Sequence, residues 1–440
     1  MGSIYQAVPL NRDVASTNIR VIESLHRDKK GQISCKIRSL SLGRKKPGQK
    51  SFDSENDHLG VVARESHQQE EYLALSYAWG PPDTGSLIWI DKKPFKVRKN
   101  LWNFLDEACK CRLAAPRSSF SYWSRQPQFL WIDAICIDQS QVEERNHQVA
   151  MMGKIYSEAR SVLVWLGPST PAIDDLIQNM YGLKIDEWRR LCWESPVDDK
   201  KKTRMQIGIE ELCEKDYWER LWVVQEFLLA KKLQLWCGNL LVDPEKIKWL
   251  VYTDFKYAHL ADSCALELLQ GRDWRIASAE QLSFKRYLEF GIRMKCADVR
   301  DRVYGLLALI NKKERDMLEI RPNYALSPDA LFVEICAAMF RSRLDTFDTE
   351  RELIGCAKTL RQALGLSSDN KAVRAVEQSF NALGYYWDLG KKEEYNRISL
   401  AMTDVWKIFL FSEDVPLLTS PGTVWSPRVS SGWTDLHVVP

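Results

Sequence analysis

Residues 129–167 read FLWIDAICIDQSQVEERNHQVAMMGKIYSEARSVLVWLG, and the spacing of their apolar residues changes twice. Residues 129–137 are a short apolar run interrupted by Asp133 and closed by Asp138, Gln139 and Ser140, the pattern of a buried strand that ends in a polar loop. From Val142 the spacing is helical. Val142, Val149, Met152, Tyr156 and Ala159 share one face, and Glu143, Glu144, Arg145, Asn146 and Lys154 point away from it. Residues 161–167 are again β-branched and apolar, closed by Gly167 and Pro168. Strand, helix and strand in so short a span have the length of a parallel crossover, which predicts an α/β core.

Working outward, YLALSYAWG at residues 72–80 reads as a second buried strand with Ser76, Tyr77, Trp79 and Gly80 at its end. Residues 86–97 predict two short strands joined by a turn at Asp91, Lys92 and Lys93. Asn100 then caps a helix that buries Leu101, Phe104, Leu105 and Ala108. Residues 117–128 are polar and rich in serine, and lead into the central unit. On the other side, residues 168–215 are charged and read as an insertion, with a helix at 173–180 and an exposed loop at 198–202.

The pattern resumes at DYWERLWVVQEFLLAKKLQLWCG, residues 216–238. Asp216 caps a helix reaching about Ala230, and a strand follows over 233–237. Trp218, Trp222, Glu226 and Ala230 lie four apart on one ridge, so a carboxylate occupies a row that faces the interior. Burial there raises a carboxyl pKa unless a donor or a ligand hydroxyl satisfies it. Two readings stay open: a functional carboxylate, or a structural ion pair with a donor such as Arg220 or Arg145.

Composition sets the frame. A chain of 440 residues exceeds one ordinary core, which predicts two or three domains. Net charge is +3 with the signs interspersed, so there is no electrostatic footprint for nucleic acid. Eleven cysteines are scattered without a C-x-x-C, and no apolar leader begins the chain, which predicts a reducing, cytoplasmic setting. No run is long enough to predict a membrane span. Six dispersed histidines and the C-x-C pair Cys109 and Cys111 offer no metal centre. GRKKPGQKS at residues 43–51 has the glycine separation of a phosphate loop, but Gln49 stands where the lysine must follow the second glycine. The predicted organisation is a poorly structured segment over 1–69, an α/β domain over 70–240 with the insertion at about 168–215, and a mostly helical region over 241–414. That region has helices at 297–310, from Pro328 behind Ser327, at 353–366 and at 375–387. A loosely ordered tail over 415–440 completes it.

Five stretches in order, LALSYAWG, WIDAICIDQ, ER-x-x-Q-V-x-x-M-x-x-IY-x-x-A, VLVWLG and W-x-R-x-W-x-x-QE, resemble the fungal heterokaryon incompatibility (HET) domain over about residues 70–240. DVRDRVYGLLALI followed by I-x-PNYALSPDALF is similar to the helical segment that often follows that domain. The family is in turn similar to Toll/interleukin-receptor (TIR) domains, some of which cleave NAD at the nicotinamide–ribose bond. The resemblance implies a flavodoxin-like, TIR-like, mainly parallel sheet. It also implies an effector of non-self recognition that triggers cell death, or, alternatively, a non-catalytic scaffold that self-associates. By position it makes Glu226 the catalytic residue and Ser76, Tyr77, Trp79 and Asp133 substrate-binding residues. NAD would be substrate, with no cofactor and no metal. Self-association and an unidentified recognition protein are the implied partners, with neither nucleic acid nor membrane.

Overall fold

The computed structural model describes residues 4–10, 17–43, 71–82, 85–113, 129–181, 184, 186–187, 199–253, 259–278, 283–341 and 350–388. The chain divides into two compact units, the first formed by residues 1–281, 293–296 and 304–309 and the second by the remainder. Among the described residues of the first unit, one sheet runs in the order β5-β4-β2-β1-β6-β3-β7-β8-β9. Its strands are β1 (Asn18–Arg27), β2 (Ile33–Ser41), β3 (Tyr72–Tyr77), β4 (Gly85–Ile90), β5 (Lys93–Arg98), β6 (Phe129–Trp131), β7 (Ser161–Trp165), β8 (Leu233–Cys237) and β9 (Leu240–Val242).

The four strands β6-β3-β7-β8 are mutually parallel, with Leu73 opposite Leu130 on one side and Ser161 on the other. Every residue of β3 and β7 is buried, as a parallel strand covered on both faces requires. The α/β core is therefore present, but the sheet is mixed rather than mainly parallel. β1–β2, β1–β6, β4–β5 and β8–β9 pair antiparallel. The hairpin β4–β5 turns at Asp91 and Lys92, both at positive φ (47° and 65°), as a tight hairpin demands.

Segment 1–69, expected to hold little regular structure, contributes β1 and β2. Periodicity hid β1 because a buried Arg20 interrupts its apolar run. That guanidinium donates to both Glu144 carboxylate oxygens (2.5 and 3.0 Å), to the Val8 carbonyl (2.7 Å) and to the Cys136 carbonyl (3.1 Å). The ring of Tyr5 lies 4.8 Å from it.

Helix α1 (Lys99–Leu113) buries Leu101, Phe104, Leu105 and Ala108 as the spacing predicted. After β6 the expected strand stops at Trp131 and the chain enters a single turn, α2 (Asp133–Cys136). Helix α3 (Val142–Glu158) follows, and its buried face includes Met152 and Tyr156, with Ala159 just beyond it, as the spacing suggested, but at its N-terminal end that face is carried by Glu144 and Gln148 instead of Val142. Glu144, Gln148, Met152, Ile155 and Tyr156 are buried, whereas Val142 is exposed. Pairing with Arg20 is what lets Glu144 face inward.

The insertion carries α4 (Pro171–Met180), capped by Thr170, and α5 (Asp199–Cys213), which begins where a loop was expected. Gly208 lets the two approach closely: a Cβ there would lie 2.4 Å from the Ala172 carbonyl oxygen. The helix expected over 216–230 is broken. A 3-10 turn over Asp216–Glu219 is separated by extended Arg220 from α6 (Leu221–Leu228). The break is held by backbone bonds to Lys295, whose N–H reaches Glu219 (2.6 Å) and whose carbonyl accepts from Leu221 (3.0 Å). α7 (Pro244–Thr253) and α8 (Cys264–Ser278) complete the first unit's helices.

The second unit contains α9 (Phe284–Ile292), α11 (Lys312–Leu318), α12 (Pro328–Arg341), α13 (Glu350–Ala363) and α14 (Lys371–Asp388). Of the helix expected over 297–310 only α10 (Asp301–Tyr304) forms. The charged motif around it is a clamp: Arg300 pairs with Asp298 (2.6 Å) and donates to the Tyr324 carbonyl (3.0 Å), and the Tyr324 hydroxyl donates to Asp301 (2.6 Å). The basic run at 44–50, the polar segment 117–128 and the tail 415–440 lie outside the described residues.

Candidate functional site

Among the parallel strands the sequence order is second, first, third, fourth, so the direction of winding reverses between β3 and β7. Ligands of such sheets bind at that switch point, outside the carboxyl ends of the strands. Asn100, expected to cap α1, instead ties the two strand ends together. Its Nδ2 donates to the Ala78 carbonyl (2.6 Å), and its Oδ1 accepts from Trp165 Nε1 (3.0 Å).

The floor below this point is a closed cluster of hydroxyls around one carboxyl. Ser76, the inward residue near the end of β3, donates to Glu226 Oε2 at 2.5 Å. Its oxygen lies 2.8 Å from the Tyr217 hydroxyl, which donates to it, the one Ser76 proton being given to Glu226. Tyr156, on α3, reaches the Leu75 carbonyl at 3.0 Å. Ser76 is 0% and Glu226 2% exposed. Burial pushes the Glu226 carboxyl up to about 7. Arg220 opposes that rise, Asp133 adds to it, and the Ser76 and Tyr156 hydroxyls hold it back. A buried carboxyl poised near neutrality is a common property of functional acids and bases.

The rim is made by Asp133, Trp79, Tyr77 and two arginines. Asp133, half-buried at the start of α2, accepts from Trp79 Nε1 (2.7 Å) and from the Ala134 N–H (2.7 Å). Desolvation raises its pKa, countered by Arg220, by those two donors and by the Tyr77 hydroxyl. Tyr77 is itself buried, and desolvation next to Asp133 carries its phenol well above the usual range. The half-buried Trp79 ring has the Arg98 guanidinium carbon 5.0 Å and the Arg220 guanidinium carbon 6.0 Å from its centroid. Arg98 donates to the Gly80 carbonyl (2.7 Å), and Arg220 donates to the Tyr77 carbonyl.

All five sequence-predicted site residues thus meet at the carboxyl end of β3. Ser76 bonds Glu226 directly, Trp79 bonds Asp133 directly, and Tyr77 touches both groups through Asp133 and Arg220. Sequence reasoning missed Tyr217, Tyr156, Asn100 and Arg98 as members of the site, and weighed Arg220 only as an ion-pair partner. Arg220 had a signal, since it is the arginine inside W-x-R-x-W. Tyr156 had one too, as the tyrosine of IY-x-x-A, whereas Tyr217, Asn100 and Arg98 had none, because only the tertiary fold brings them here. Chemically, two carboxyls stand in different environments: one sealed and near neutral, one at the rim and held by donors. Such a separation is what assigns different proton roles to two acids of one site.

The family model of the heterokaryon incompatibility protein (HET) family matches residues 72–226, from the first residue of β3 to Glu226. Among curated proteins, the chain is similar to heterokaryon incompatibility protein 6, OR allele, of Neurospora crassa, with 27% identity over 311 residues. That match takes in 58% of this chain and 45% of the relative, so the chain spans less than half of the relative's length. No solved structure matches the chain.

Proposed function

From the match of residues 72–226 to the heterokaryon incompatibility family model, we propose that the protein is an effector of non-self recognition that triggers cell death by cleaving NAD at the nicotinamide–ribose bond. The observation that carries this reading is the convergence of Ser76, Glu226 and Asp133, from three distant segments, on one switch point. The second-first-third-fourth order of the parallel strands also supports the flavodoxin-like, TIR-like architecture that the motifs imply. Breaking the bond between ribose C1′ and the nicotinamide nitrogen leaves an oxocarbenium-like centre, and nicotinamide departs neutral. Ionised Glu226 stabilises that positive charge. Water then adds to C1′ and gives up its proton to the carboxylate, which accepts it readily at a pKa of about 7. Asp133, at the rim, holds a ribose hydroxyl and so fixes the sugar for attack.

One observation favours a second reading, a scaffold that self-associates and recruits a recognition partner without chemistry. Glu226 is only 2% exposed and already hydrogen-bonded, as structural carboxyls are. One assay separates the two: purified full-length protein, NAD, and detection of released nicotinamide at low and at high protein concentration. The catalytic reading expects release, with Glu226→Gln lowering the rate about a hundredfold or more, the scale of losing one electrostatic stabiliser. A folded wild type that releases none at any concentration leaves the scaffold. Equal cell death from equally accumulated wild type and Glu226→Gln does the same.

A further inference from the structure

The two arginines at the rim touch no reacting atom of the proposed chemistry, although Arg220 acts through space on Glu226 and Asp133. Arg98 closes β5, and Arg220 occupies the break before α6, so the hairpin and the helix break deliver one cation each to the same indole. Among the described residues each guanidinium makes one hydrogen bond, to a backbone carbonyl, and neither forms an ion pair within 4.0 Å of a carboxylate. Most of the N–H donors of each fork remain unspent. Asp133 accepts from Trp79 and Ala134 and acts on Arg220 only through space, without an ion pair to either arginine. A guanidinium lying over an aromatic ring, with one N–H anchored, keeps its fork fixed at little entropic cost. A fixed planar fork matches phosphate oxygens.

The Trp79 ring is therefore engaged by cations. We propose that Arg98 and Arg220, set over Trp79 at the carboxyl end of β3, form a subsite for the diphosphate of a nucleotide, with Trp79 positioning the two guanidiniums rather than stacking on a base. The diphosphate would lie outside the strand ends, and the attached ribose would reach Asp133. The subsite belongs to the site of the proposed cleavage and rests on that reading for the identity of the nucleotide, but not for the recognition of the anion.

The test is calorimetric titration of the full chain with inorganic pyrophosphate, ADP and adenosine, with nicotinamide release from NAD measured separately. Pyrophosphate and ADP should bind, and adenosine should bind at least about tenfold more weakly, the worth of one charge-assisted hydrogen bond. Arg98→Gln and Arg220→Gln should each weaken ADP by about tenfold or more on the same scale, and Arg98→Lys should recover part of the loss. Lys96→Gln, which removes an exposed charge from the same strand, should leave binding unchanged. Melting curves of all variants establish that they fold, and should Arg220→Gln fail to fold, Arg98→Gln and Arg98→Lys decide the matter. Adenosine binding as tightly as ADP, no binding of pyrophosphate or ADP, or full affinity in folded Arg98→Gln would overturn the subsite. If ADP binds through the arginines but NAD is not cleaved, the subsite stands and the enzymatic reading falls. If NAD is cleaved with an unchanged KM in Arg98→Gln, the reverse holds.

Discussion

Replacing Glu226 by glutamine should stabilise the protein at alkaline pH while removing the carboxylate the proposed chemistry needs. The carboxyl is 2% exposed, and burial lifts it from 4.5 to about 7 in the folded protein. A group whose folded pKa exceeds its unfolded one binds protons more tightly when folded, so stability falls as pH rises through that interval. Each pKa unit is worth about 1.4 kcal/mol, so ionising Glu226 costs the fold about 3 kcal/mol once pH exceeds about 7. Below 4.5 the group is protonated in both states and the term disappears. Glutamine keeps the volume, accepts from Ser76 and never ionises. The expected result is that Glu226→Gln and wild type have similar stability near pH 4.5, and that the variant is more stable by about 3 kcal/mol at pH 8. Urea unfolding followed by tryptophan fluorescence reads this, since Trp131, Trp165 and Trp218 are buried in the same unit. Taking the difference between the two proteins at each pH cancels every other titrating group. A difference that does not grow between pH 5 and pH 8, or a variant less stable at pH 8, would refute the reasoning and place the carboxyl in a satisfied ion pair.

Two further substitutions probe the frame that holds the site. Arg20→Met leaves Glu144 buried and unpaired and should cost about 3–5 kcal/mol in urea unfolding, with most of it recovered when Glu144→Met is added; a single variant within about 1 kcal/mol of wild type would show the pair to be expendable. Gly208→Ala drives a methyl against the Ala172 carbonyl and the Leu176 side chain, and should cost about 1–3 kcal/mol by the same measurement; an unchanged or raised stability would mean that α4 and α5 separate freely.

The α/β core and the place of its site were legible in the residues because parallel strands buried on both faces leave dense apolar runs. β3 and β7 are such runs, the crossover between β6 and β7 is a local feature, and the polar residues that interrupt the apolar stretches, Ser76, Asp133 and Glu226, are the ones that converge. The helices from Pro328, at 350–363 and at 371–388 were legible for the same reason: a cap and an apolar face are local signals.

What stayed hidden depends on partners far along the chain. Neither β1 nor the buried place of Glu144 on α3 could be read, because Arg20 and Glu144 look like surface residues until each supplies the charge that buries the other. The break at Arg220 depends on Lys295, more than seventy residues away, which takes over the backbone groups that a continuous helix would have used. Without that break Arg220 would follow the helix, and with it the guanidinium turns to Tyr77 and Trp79. The sequence by itself determined the central apolar strands, the helices that carry a local cap or an apolar face, and the polar residues at the strand ends, since backbone periodicity and local burial are written along the chain. Only the tertiary structure decided which charges are buried, which side of a helix is inward and which arginines meet one indole, because a charge is buried only where a distant group compensates its loss of water.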